Sequence, residues 1–137
     1  MVKNARKRKE RTMDITKTLA ELKQEPGFTE HVGMMLVHNG IVRAWSRADH
    51  APVRSVRVRP DRERMRSICR EMEQRPGIFR ILAEANEGEL QPGDDLLFLV
   101  VAGDIRENVK SAFAELLDRI KAEAVIKEEM TASAQDT

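Results

Sequence analysis

The chain has 137 residues, a formal net charge of +1, 41% hydrophobic residues and 34% charged residues. That balance suits one domain with one modest core and a heavily solvated surface. The apolar run Leu96–Ala102 is the longest, far short of the roughly 20 residues a spanning helix needs.

The basic N-terminus is not followed by an apolar segment, so a secretory signal is not expected. Cys69 is the single cysteine, which rules out an internal disulfide. A cytoplasmic protein is the simplest reading. The charge is unevenly spread. Residues 1–80 carry 19 Lys and Arg against 10 Asp and Glu, and residues 81–137 carry 5 against 13. Either the two halves interleave and neutralise one another, or the basic half faces an anionic ligand.

Residues 1–12 form a basic segment without apolar pattern, expected to be disordered. It has no aromatic residue for base stacking, so nucleic-acid binding is the weaker reading. Asp14–Lys23 predicts a short helix capped by Asp14, with Ile15, Leu19 and Leu22 on one face and Pro26-Gly27 after it. His31–Arg43 reads as a strand or a hairpin, with Asn39-Gly40 as the turn signal. Ala44–Pro52 is polar and irregular. Val53–Arg59 alternates as a half-buried strand, and Pro60 closes it.

Asp61–Gln74 predicts an amphipathic helix with Met65, Ile68, Cys69 and Met72 on its apolar stripe. A cysteine there reads as a small core residue rather than a nucleophile. Ile78–Ala85 is a strand, and Gln91–Asp94 fits a type II turn. Leu96–Val101 is apolar on both faces and therefore central in a sheet. Asp104 and Glu107 predict a capping box. The helix it opens carries Ile105, Val109, Ala112, Phe113, Leu116, Leu117 and Ile120 as one stripe. No periodic pattern follows, and the end of the chain, residues 131–137, reads as a polar tail. The order α-β-β-α-β-β-α implies one α+β two-layer domain over residues 13–130, with a mixed or antiparallel sheet and packed helices.

His31, His38 and His50 lack metal-ligand spacing, so no metal site is expected. Phosphate-binding glycine loops and a serine nucleophile elbow are absent from the sequence. Cationic chemistry remains. On a helical wheel at about 100° per residue, Arg106, Lys110 and Lys121 fall within about 60° of one another beside the apolar stripe. Lysines there are either partly desolvated reactive groups or snorkelling surface residues.

Gly40-Ile41-Val42-Arg43, the turn Gly88–Asp94, and Arg106 followed fifteen residues later by Lys121 occur in an order that resembles the large, catalytic subunit of molybdopterin synthase. The resemblance covers roughly residues 32–129 and implies that family's α/β-hammerhead fold. It also implies a sulfurtransferase of molybdenum cofactor biosynthesis. In that reaction a small ubiquitin-like partner ending in Gly-Gly donates thiocarboxylate sulfur to a cyclic pyranopterin monophosphate. No resident cofactor is implied. Arg43 and Arg106 would bind the pterin phosphate, since guanidinium matches phosphate oxygens. Lys121 and Lys127 would be the catalytic lysines, and a homodimer would be the working unit.

Three positions depart from the pattern. Ile105 stands where the family has histidine, Lys127 where an ungapped alignment puts tryptophan, and Glu128 where it puts the second lysine. A one-residue deletion restores Lys127 to the lysine role. The competing reading is a family-related binding or scaffold protein that recognises a partner tail or an anion without catalysis. Lys127 turned into a cleft with Lys121 would favour chemistry, and Glu128 turned inward would favour the scaffold.

Overall fold

A computed structural model describes residues 13–131. The basic segment 1–12 and residues 132–137 lie outside the described residues. Helix α1 (Ile15–Leu22) starts at Asp14, whose side chain accepts a hydrogen bond from the Lys17 amide at 3.0 Å. A one-turn helix α2 (Phe28–His31), not expected from the sequence, follows Gly27, whose φ of 91° suits glycine.

Strand β1 (Met34–Ile41) is continuous, so the hairpin alternative at Asn39-Gly40 is not adopted. A two-residue hairpin turn of that type needs positive φ at both central residues, and neither has it. The two residues instead pair with Phe98 and Leu97, with a bulge between Gly40 and Ile41. Strand β2 (Val53–Pro60) leads into α3 (Arg62–Met72), where Asp61 caps by accepting from the Arg64 amide at 2.9 Å. Met65, Ile68, Cys69 and Met72 are buried, as their spacing requires.

Strands β3 (Ile78–Ala85), β4 (Gly88–Leu90) and β5 (Asp95–Gly103) precede helix α4 (Arg106–Glu123) and strand β6 (Val125–Thr131). The turn before β5 has Gly93 at φ 96° and an Asp94-to-Gln91 backbone hydrogen bond of 2.9 Å, as a type II turn demands.

Both sheets are antiparallel and three-stranded, in the orders β1-β5-β3 and β4-β2-β6. β5 is central, and every residue from Leu96 to Gly103 is buried. Leu97, Leu99 and Val101 face the main core, built with β2, α3 and α4. Phe98, Val100 and Ala102 face a smaller core closed by Leu22, Leu19, Phe28 and Phe79. Basic and acidic halves of the sequence do interleave. Arg62 pairs with Glu87, Arg64 with Glu123 and Arg75 with Glu115. These exposed pairs hold elements in register but add little stability, about 0–1 kcal/mol each.

Four expectations are corrected. β4 is too short to show a period. β6 reaches Thr131, so the polar tail cannot begin there; beyond Val125, which packs against the main core, this edge strand carries no hydrophobic period. The capping box does not form. Helix α4 begins one residue later than the box requires, with Ile105 at the N-cap, so Asn108 rather than Glu107 occupies the third helical position. The Asp104 carboxylate accepts from the Ile105 amide and, at 2.9 Å, from Asn108 Nδ2. Ile105 itself is 54% exposed and leaves the apolar stripe.

Phe98 is wholly buried at the centre of the smaller core. Phe98→Ala is expected to cost about 3–5 kcal/mol in urea unfolding. A loss below about 1 kcal/mol would mean that this second core does not support the central strand.

Candidate active site

The end of β1, the start of β5, the last turn of α4 and the first residues of β6 enclose a cleft of about 280 Å³. Its walls are His38, Gly40, Ile41, Arg43, Leu96, Leu97, Lys121, Val125 and Lys127. The volume lies near the lower end of what small-molecule sites occupy. A wider hollow of about 450 Å³ lies at the opposite end of β5, beside Glu30, His31, Phe79 and Asp104. It offers carboxylates and no lysine, whereas the smaller cleft gathers the cationic residues singled out in the sequence.

Strand parity decides which residue of β6 turns inward. Side chains alternate across a strand, and Val125 and Lys127 both line the cleft. Glu129, two residues further on the same face, approaches Arg43 at 3.7 Å. Glu128 is therefore on the other face, paired across the sheet with exposed Arg57. No bulge interrupts β6 between Val125 and Glu129. Of the four expected site residues, Lys121, Lys127 and Arg43 come together. Arg106 does not join them within one chain. It sits with Glu107, Lys110 and Ser111 on a separate surface hollow, fifteen residues and about 22 Å along α4 from Lys121.

The sequence model of the family described as MoaE protein matches residues 8–123. The chain belongs to the MoaE protein family. A probable molybdopterin synthase of Haloferax volcanii is 28% identical over 119 residues, covering 83% of this chain and 46% of that protein. The chain thus spans about half the length of that curated relative. Its fold is that of molybdopterin synthase from Staphylococcus aureus, with a TM-score of 0.71 at 19% identity, covering 90% of this chain and 89% of the other. The MoaE protein of Burkholderia ambifaria gives a TM-score of 0.67 at 20% identity, covering 88% and 81%. A complex of subunits 1 and 2 of molybdopterin-converting factor from Helicobacter pylori matches with 0.62 at 16%, covering 89% and 86%.

Within this MoaE fold the cleft is an electrostatic compromise. The Lys127 ammonium has a pKa held below the ordinary lysine value. Partial desolvation is the main cause, and the positive charges of Arg43, Lys121 and Arg47 add to it, against an opposing pull from Glu129. Cys69, by contrast, is buried in the core, and burial pushes its thiol up to about 11, with Glu73 adding and Arg70 opposing. It is not a nucleophile. Among the described residues no three His, Cys, Asp or Glu side chains gather as metal ligands would.

Two contributors escaped sequence reasoning. His38, weighed only as a metal ligand, lines the cleft. Its position two residues before Gly40, hence on the same strand face, was the available signal. Trp45 lies in the loop after Arg43. The Arg43 guanidinium is 5.0 Å from the Trp45 ring centre, and Arg43 Nε donates to the Trp45 carbonyl at 3.3 Å. The ring stacks on His50 at 5.1 Å. A Trp45–Pro52 bridge and a Ser46-to-Ala51 hydrogen bond of 2.8 Å fasten the loop. No contact in the sequence pattern announced this, because it depends on loop closure.

Trp45 is the chain's only tryptophan and is 44% exposed. An anion gripped by Arg43 should therefore be visible in its emission. Titration with inorganic phosphate is expected to change the fluorescence saturably, with Arg43→Ala abolishing the response. An unchanged titration in Arg43→Ala would place anion binding elsewhere.

Lys127→Met is expected to raise stability at neutral pH, because a partly desolvated ammonium among cations disfavours the folded state. The folded-state pKa is the lower one, so this penalty is complete below it. It fades as pH rises from that value toward the ordinary lysine pKa. Urea midpoints of both proteins across that range should converge at high pH. A gap independent of pH would assign the gain to packing instead.

Proposed function

We propose that this chain is a sulfur-transferring large subunit of molybdopterin synthase in molybdenum cofactor biosynthesis. The observation that carries the proposal is the convergence of Lys121 and Lys127 on one cleft with Arg43 at its mouth. Glu128 on the outer face removes the feature that would have favoured a non-catalytic scaffold.

The donor is the C-terminal Gly-Gly thiocarboxylate of a small ubiquitin-like partner. The two-subunit Helicobacter pylori complex of the same fold supports a partner of this kind. A glycine tail has no side chain to exclude it from a narrow cleft. Arg43 holds the pterin phosphate through charge-assisted hydrogen bonds. The thiocarboxylate sulfur bonds to a pterin carbon and displaces an oxygen substituent from it, water then hydrolyses the acyl–sulfur bond, and the partner leaves as a carboxylate. A second partner repeats the step to complete the dithiolene.

Lys127, whose ammonium is easier to deprotonate than an ordinary lysine, serves in proton transfer. Lys121 stabilises the charge that develops as the acyl–sulfur bond breaks, or transiently holds the acyl group. Arg106, remote from Lys121 along α4, completes the phosphate site of a second copy in a homodimer.

The test is a single-turnover assay with thiocarboxylated small subunit and cyclic pyranopterin monophosphate. Dithiolene product is expected from the wild type, with Lys121→Ala slowed at least about 100-fold. A mixture of Lys121→Ala and Arg106→Ala proteins should recover part of the activity, since mixed dimers would contain one intact site. Product formed equally well by Lys121→Ala would sink the assignment. No recovery in the mixture would remove Arg106 from the neighbour's site.

A further inference from the structure

His38 lines the cleft beside both lysines, yet the reaction described so far leaves it without a task. It sits on β1 opposite Leu99. Its Nε2 is buried and has no hydrogen-bond partner. Leaving such an atom unpaired costs about 1–3 kcal/mol, which calls for an explanation. A Cβ added at Gly40 would stand 2.9 Å from this nitrogen, so glycine there is what lets the ring edge lie this close to the strand. The other two histidines are engaged elsewhere. His31 lies 2.9 Å from the Gly27 carbonyl and stacks on Phe79, and His50 stacks on Trp45.

The charged groups lining the cleft are cations: Lys121 from α4, Lys127 from β6 and Arg43 beyond the end of β1. β5 contributes apolar Leu96 and Leu97 to the cleft wall and Leu99 as the cross-strand neighbour. Glu129, at the rim, is engaged with Arg43. An imidazole in this setting stays neutral. Burial is the main cause lowering its pKa, and Lys121 adds to it. A neutral imidazole can accept a proton, and the surrounding ammonium groups can hold the negative charge that appears when it does so.

We propose that His38 is a further catalytic residue whose Nε2 takes the proton of the water that cleaves the acyl–sulfur bond. The inference rests on the sulfur-transfer reading above. The water oxygen bonds to the acyl carbon, and the carbon–sulfur electron pair goes to sulfur, which stays on the pterin as a thiolate. One water proton passes to Nε2 and the second to solvent as the partner departs as a carboxylate. No oxidant or reductant enters. The tautomer required carries its hydrogen on Nδ1, leaving Nε2 as the acceptor.

His38→Gln and His38→Ala are compared with the wild type in single turnover from acidic to neutral pH. Mass spectrometry follows both the pterin–partner thioester and the released carboxylate. In the wild type, acyl release is expected to rise with pH through the lowered imidazole pKa and then level off. Both variants should slow release about 100-fold or more, lose that inflection and accumulate the thioester. Formation of the first sulfur–carbon bond and the phosphate response of Trp45 should stay at wild-type levels. An active wild type whose variants release the acyl group at an unchanged rate and pH profile would overturn the role of His38 alone. So would variants that lose phosphate binding and accumulate no thioester, since the ring would then only shape the cleft. A wild type that forms no sulfur–carbon bond would overturn the sulfur-transfer reading, and this inference with it.

Discussion

Burial of β5 on both faces is the constraint from which the rest of the structure follows. A strand buried on both sides cannot slip by one residue without exchanging its two sets of side chains between two different cores. Phe98, Val100 and Ala102 fit the small core, and Leu97, Leu99 and Val101 the large one. That fixes the registers of β1 and β3, which flank it. The register with β1 sets His38 opposite Leu99 and Gly40 opposite Leu97. Helix α4 packs Val109, Ala112, Leu116 and Ile120 onto the same core, which carries Lys121 to the cleft. The geometry of the cleft is thus inherited from apolar packing some residues away from any charge.

The cleft itself works against stability. Arg43, Lys121 and Lys127 share a space with one nearby carboxylate, Glu129, at a distance of 3.7 Å from Arg43. His38 Nε2 is left unpaired there as well. A structure selected for stability alone would pair or replace these groups. Their concentration in one place, while Arg62, Arg64, Arg75 and Arg119 elsewhere all find carboxylates, marks the place where function overrides the local rules. A cationic surplus of this kind suits an anionic ligand.

Elements governed by local or periodic signals were legible in the sequence. α1 declares itself through Asp14 and its apolar stripe, α3 through its apolar stripe, and the turn at Gln91–Asp94 through Pro92 and Gly93. β5 does so through its unbroken apolar run. The signals that failed are those that tertiary structure overrides. Asn39-Gly40 favours a turn, yet pairing with Phe98 and Leu97 keeps β1 straight. Asp104 and Glu107 have capping-box spacing, but the helix starts one residue late. β6 showed no period because, beyond Val125 on the main core, its two faces meet a cleft and solvent. In the site, Arg43, Lys121 and Lys127 were legible through the order of motifs. His38 and Trp45 were not, because their relevance depends on cross-strand register and on loop closure.

The placement of Lys127 shows how a short connection settles a question that alignment leaves open. Only Ala124 separates α4 from β6. Its amide donates to the Ile120 carbonyl at 3.0 Å, and its carbonyl accepts from the Asp61 amide at 2.7 Å. With both backbone groups fixed, the connection has no slack to absorb an extra residue. The parity of β6 is therefore set by where α4 ends, and Val125, Lys127 and Glu129 must share the inward face. Lengthening the connection by one residue would turn Ile126 and Glu128 inward and set a carboxylate beside Lys121. An anionic ligand in the cleft would then meet a weaker positive field. The departure from ungapped family spacing is thus a condition for keeping two lysines in one cleft, given a helix that ends at Glu123.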